Sequence, residues 1–122
     1  MASEKEVIAA FEKIQGEVPG FIAASLVDLE SGMTLAVKSA RPDFDLAAAS
    51  AFNSEIVKQK FKALRILELK STLEEILLTL SDQIHMIRLV GSGMFIYLAA
   101  ERASTNLAMV RTAVIKHTSG LS

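Results

Sequence analysis

The sequence contains no cysteine and no tryptophan. Without thiols there are no disulfides, no thiolate zinc site and no cysteine nucleophile. Proline occurs twice, at Pro19 and Pro42, and each marks a change in the hydrophobic pattern. Neither sign of charge is in excess. Thirteen Lys and Arg stand against fourteen Asp and Glu, a net charge of −1, which removes the electrostatic basis for general nucleic-acid binding. No apolar run approaches the ~20 residues of a membrane-spanning helix. The opening Met1-Ala2-Ser3-Glu4-Lys5-Glu6 has neither the basic segment nor the long apolar stretch of an export signal, so the expected location is cytoplasmic. What the chain has in quantity is apolar surface: 51% hydrophobic residues and a mean hydropathy of +0.37. At 122 residues it can bury roughly two thirds of the surface its unfolded form exposes. We read one domain over residues 4–117 with a short tail, 118–122, and more apolar surface than a monomer of this size needs.

Periodicity divides the chain into eight elements. Ser3 and Glu6 form an S-x-x-E capping box, after which Val7, Ile8, Phe11 and Ile14 fall on one face, so residues 4–16 are a predicted helix. The nearly continuous apolar run over 20–28 predicts a strand buried on both faces. Met33, Leu35 and Val37 alternate with polar or small residues and predict its hairpin partner. A long helical pattern follows from about Asp45 to Leu67. Ile76, Leu78 and Leu80 alternate within 72–80, an expected edge strand. Strands are predicted over 84–90 and 94–100 about a Gly91-Ser92-Gly93 turn. Leu107, Val110 and Val114 set the final helix, from about Ser104 to His117. The order α-β-β-α-β-β-β-α predicts an α+β fold, a five-stranded antiparallel sheet with helices on both faces.

The long helix carries two apolar stripes at 100° per residue. Ala49, Phe52, Ile56, Ala63 and Leu67 make one; Leu46, Val57, Phe61 and Leu64 make the other, and Asn53 and Lys60 lie on the divide. A helix packed on one sheet needs a stripe only ~100° wide. The surplus stripe calls for a second partner. Asn53 is either hydrogen-bonded in the core or paired across a two-fold axis. Lys58, Lys62 and Arg65 run along the polar side at i, i+4 and i+7, either as a solvated face or as a docking strip for an acidic surface.

The groups that suggest chemistry read as structural. His85 and His117 lack any metal-ligand spacing, so no metal or cofactor is expected. Glu74 and Glu75 are sequence neighbours on a strand and point to opposite faces; a solvated edge is the expected setting for both. Gly91-Ser92-Gly93 is neither a nucleophile elbow nor a phosphate loop. Asp28 could serve as a base but has no partner near it in sequence. Arg102 and Arg111 are arginine-finger candidates, with an ordinary salt bridge as the competing reading.

Four stretches, in order, give the chain a family likeness: Val18-Pro19-Gly20-Phe21 leading to Leu26-Val27-Asp28 and Gly32-Met33; Asp45 through Ala51; Val90-Gly91-Ser92-Gly93-Met94-Phe95; and Asn106-Leu107-Ala108-Met109-Val110-Arg111. Together they resemble the roadblock / dynein light chain family over residues 4–117, with Ser31 standing before Gly32 where the family more often has an acidic residue. The resemblance implies a profilin-like fold and a dimerising scaffold without chemistry of its own. It implies pairing through the second helix and third strand, and Ras-like small GTPases as partners, regulated or tethered, as in bacterial members. The expected homodimer interface comprises Leu46, Asn53, Val57, Lys60, Phe61, Leu64, Ile76 and Leu78. The expected partner-docking strip is Lys58, Lys62 and Arg65. Two alternatives stand beside a GTPase adaptor: an assembly module with no GTPase, and a small-ligand sensor.

Overall fold

In the computed structural model the described residues are 2–121. Helix α1 spans Glu4–Glu17 and opens on the expected capping box, in which Ser3 Oγ accepts the Glu6 N–H and the Glu6 carboxylate accepts the Ser3 N–H, both at 3.2 Å. Strands β1 (Phe21–Asp28) and β2 (Thr34–Ser39) form a hairpin, followed by α2 (Leu46–Ile66), β3 (Glu75–Thr79), β4 (Gln83–Val90), β5 (Met94–Glu101) and α3 (Leu107–Thr118). The five strands lie in the order β2-β1-β5-β4-β3, each antiparallel to its neighbour. The fold is the expected α-β-β-α-β-β-β-α arrangement with helices on both faces.

The two faces of the sheet have separate cores. Val7, Phe11 and Ile14 of α1 and Val110 and Val114 of α3 close over Leu26, Met86, Ile96 and Leu98. On the other face Leu46 and Val57 of α2 close over Ile22, Val27, Ile87, Phe95 and Tyr97. The central strands β1 and β5 are buried on both faces, which explains their near-continuous apolar sequence. Gly20 precedes β1 at φ 79°, where a Cβ would stand 2.8 Å from Cβ of Ser104.

Two boundaries differ from the periodicity by more than one residue. The edge strand begins at Glu75 rather than residue 72: after a turn at Glu68, a non-glycine residue at φ 57°, residues 69–74 form no regular element, and pairing with β4 starts at Glu75 opposite Arg88. Helix α3 begins at Leu107 rather than near Ser104, because the Asn106 side chain accepts the Met109 N–H at 2.9 Å and caps the helix there.

Candidate functional site

Helix α2 lies across β1 and β2 and presents short side chains to the sheet. Ser50 donates its hydroxyl to the Leu46 carbonyl at 2.7 Å, so the buried Ser25 hydroxyl donates to Ser50 Oγ at 2.8 Å. Ser54 donates to the Leu29 carbonyl at 2.6 Å and fastens α2 to the hairpin. Asn53 is buried and donates to the Ala49 carbonyl at 2.7 Å. Its amide nitrogen thus has a partner inside the chain, in keeping with the core reading of the two left open by the sequence.

This packing corrects the assignment of the stripes. Leu46, Asn53 and Val57, expected at a dimer interface, are buried beneath α2 in the chain's own core, with Val57 fully inaccessible. Phe61 is half-buried against the same cluster, and Leu64 is half-buried. Most of the other stripe faces outward. Phe52 is 71% exposed and Ile56 42%, and Leu67 is exposed as well. The sheet surface beneath α2 includes Ala23 and Ser25, where the small Ser50 meets Ser25, while Ser54 bonds Leu29 in the turn after β1.

The exposed stripe borders the β3 edge of the sheet. A shallow trough of about 500 Å³ runs between them, lined by Ile56, Gln59, Lys60, Ala63, Leu73 and Ile76. Ile76 pairs with Ile87 and Leu78 with His85 across the ladder. These pairs place Ile76 and Leu78, both half-buried, on the α2 side of a strand whose outer edge is unpaired in the sheet. Of the residues expected at an interface, Lys60, Ile76 and Leu78 remain on this surface.

The docking strip also changes. Lys58 Nζ donates to the Glu30 carbonyl at 2.8 Å and stands 3.5 Å from Glu55, so it is spent on the hairpin. Lys62 and Arg65 are exposed and, among the described residues, make no ion pair.

The remaining candidates have structural partners. Glu75 is not a solvated edge residue: its carboxylate takes Arg111 Nε at 2.8 and 2.9 Å, Arg111 Nη2 at 2.8 Å and Arg88 at 3.2 Å. The same contacts hold Arg111 against the edge strand. Arg102 donates to the Leu80 carbonyl at 3.1 Å. Asp28 accepts both the N–H and the hydroxyl of Ser31, at 3.0 and 2.6 Å, which holds its carboxyl below the usual range. Ser31, where the chain departs from the roadblock pattern, thereby closes the hairpin turn through its side chain. His117 and Lys116 meet Glu17 and tie α3 to α1. His85 lies beside Gln83 (2.7 Å) and the Tyr97 hydroxyl (3.2 Å); burial lowers its pKa and raises that of Tyr97 to about 12. Among the described residues no His, Asp and Glu cluster could hold a metal ion, and no helix is long and apolar enough to cross a membrane.

No family model and no curated protein matches the chain. Solved structures do. Myxococcus xanthus MglB shares 13% identity, with 99% of this chain and 88% of that one covered at a TM-score of 0.86. An MglB described in a tetrameric arrangement shares 16% identity over 99% of this chain and 88% of its own, TM-score 0.85. A Roadblock/LC7 domain from Streptomyces avermitilis shares 17% identity over 88% of each chain, TM-score 0.73. The chain has the roadblock fold, in the form that MglB also takes.

Proposed function

We propose that this chain is a non-catalytic regulatory or adaptor subunit that works as a homodimer and binds a Ras-like small GTPase. The observation that carries the dimer is the apolar stripe of α2 standing beside the open edge of β3. Two copies of α2 laid antiparallel about a point between Gln59 and Lys60 set Ile56 opposite Ala63 and Phe52 opposite Leu67. The large residue of each pair meets a smaller or a flexible one. The same two-fold axis brings β3 against its copy, so that two five-stranded sheets become one and Ile76 and Leu78 line the seam. Lys60 sits at the rim of that seam. An isologous contact of this kind closes on itself and leaves no sticky edge.

The GTPase assignment rests on the fold together with the sequence resemblance. Lys62 and Arg65 are the proposed cationic contacts for an acidic partner surface, with Lys58 confined to a structural role. Every titratable cluster described above is engaged in structural bonds, which supports a chain with no turnover of its own.

The test begins with sedimentation equilibrium at micromolar concentration, where a dimer is expected and a monomer overturns the reading of the stripe. Each Ras-like GTPase of the native host, purified singly and loaded with a non-hydrolysable GTP analogue, is then titrated against the dimer. Saturable binding of one of them supports the adaptor. Absence of binding to all of them leaves an assembly module and refutes the GTPase assignment. GTP hydrolysis by the chain alone would refute the non-catalytic reading.

A further inference from the structure

The C-terminal end of α2 combines two features that packing on the sheet does not account for. The first is Ile66. Nine residues at 100° each place it diametrically opposite Val57, which is buried on the sheet. An isoleucine therefore stands 68% exposed on the outermost line of the helix, outside the proposed α2 stripe. Leu69, in the turn that follows, is also exposed. The second feature is charge. From Lys58 to Lys70 there are five cations, Lys58, Lys60, Lys62, Arg65 and Lys70, against the single carboxylate of Glu68. The chain as a whole carries slightly more acid than base, so this end is a local concentration of positive charge. Lys62, Arg65 and Lys70 are exposed around Ile66 and Leu69.

We propose that this end of α2 seats on an anionic lipid bilayer, with Ile66 and Leu69 entering the headgroup boundary and Lys62, Arg65 and Lys70 meeting lipid phosphates and carboxylates. Basic clusters flanking apolar residues on an amphipathic helix are the pattern that anionic membrane surfaces attract. A protruding apolar tip inside a ring of cations suits a fluid interface, which supplies apolar depth and negative charge together. In the proposed antiparallel dimer the outer lines of the two α2 helices face the same side, so six cations and four apolar side chains can engage one flat surface. The inference goes beyond the GTPase reading and stands without it; where both hold, bilayer and GTPase compete for Lys62 and Arg65.

Co-sedimentation of the full chain with phosphatidylserine–phosphatidylcholine vesicles, and with pure phosphatidylcholine vesicles, tests the proposal. Binding is expected to the first and not to the second, and to weaken as salt is raised. K62E/R65E should lower partitioning at least about tenfold, and I66S several-fold, with the dimer and the circular dichroism spectrum unchanged. No binding to the anionic vesicles overturns the proposal. So does binding that survives both variants, or that responds to K62E/R65E but not to I66S, since charge alone then explains it. Equally tight binding to polyglutamate would assign the patch to an acidic protein and overturn the lipid assignment.

Discussion

Replacing Phe52 with serine separates the two apolar stripes of α2 in a single experiment. A phenylalanine buries on the order of 200 Å² when fully enclosed, and Phe52 is 71% exposed in the isolated chain. A second copy can therefore cover roughly 140 Å² at this residue, worth about 3.5 kcal/mol at ~25 cal/mol per Å². Two-fold symmetry uses the residue twice. Loss of one such contact already corresponds to roughly a 400-fold weaker dimer, and the figure is an upper bound for each side. The folded monomer should lose almost nothing, because the ring touches little of its own chain. Sedimentation equilibrium and urea denaturation, run on the same preparation, distinguish the two effects. The expected outcome is a well-folded monomer with an unchanged unfolding slope. Val57→Ser provides the contrast: Val57 is fully buried, and its loss should lower stability by about 2 kcal/mol or more. A Phe52→Ser protein that stays dimeric at the wild-type dissociation constant would refute the assignment of the exposed stripe.

Other expectations follow from single contacts. Ser50→Ala leaves the buried Ser25 hydroxyl without its acceptor and should cost about 1–3 kcal/mol in chemical denaturation; Ser25→Ala in the same background should cost little more, since the two share one bond. Gly20→Ala places a Cβ at φ 79° against Ser104 and Glu101 and should destabilise by about 1–3 kcal/mol, read as a lowered melting temperature. Burial lowers the His85 pKa from 6.5, so below that value the unfolded chain binds a proton that the native state resists. Stability should therefore fall as pH drops from 7 to 5, and His85→Gln should flatten that part of the profile.

Elements built on strict periodicity were readable because one physical rule dominates each. The capping box fixes the start of α1, and burial on both faces leaves β1 and β5 no choice but apolar residues. Helix α2 was harder for a reason visible in its serines. Ser50 and Asn53 return their polar groups to the carbonyls of Leu46 and Ala49, and Ser54 reaches the Leu29 carbonyl. Each is polar by type and satisfied in place, so the sheet-facing side looks less apolar than the open one. A count of hydrophobic residues alone therefore does not tell which stripe faces the sheet. Glu75 escaped for a similar reason. Alternation put it on the opposite face from Glu74, but its two arginines lie 13 and 36 residues away in sequence, and no local pattern announces such a meeting. Lys58 fits the spacing of its strip equally well, yet the carbonyl that holds it belongs to Glu30 in a distant hairpin.

The strand order has a consequence for how the molecule forms. The pairs β1–β2, β3–β4 and β4–β5 join neighbours in the chain, so a hairpin and a three-stranded meander can each close with short loops. Only β1–β5 joins the two, and its register sets Ser25 opposite Tyr97, with α2 and both later hairpin turns lying in between. Loop-closure entropy for that single pairing is the largest of the four, though it grows only logarithmically with length. The seam where the halves meet is also where burial is most complete. Folding should therefore be limited by one late joining event. Mutations that weaken the β1–β5 pairing would therefore slow folding.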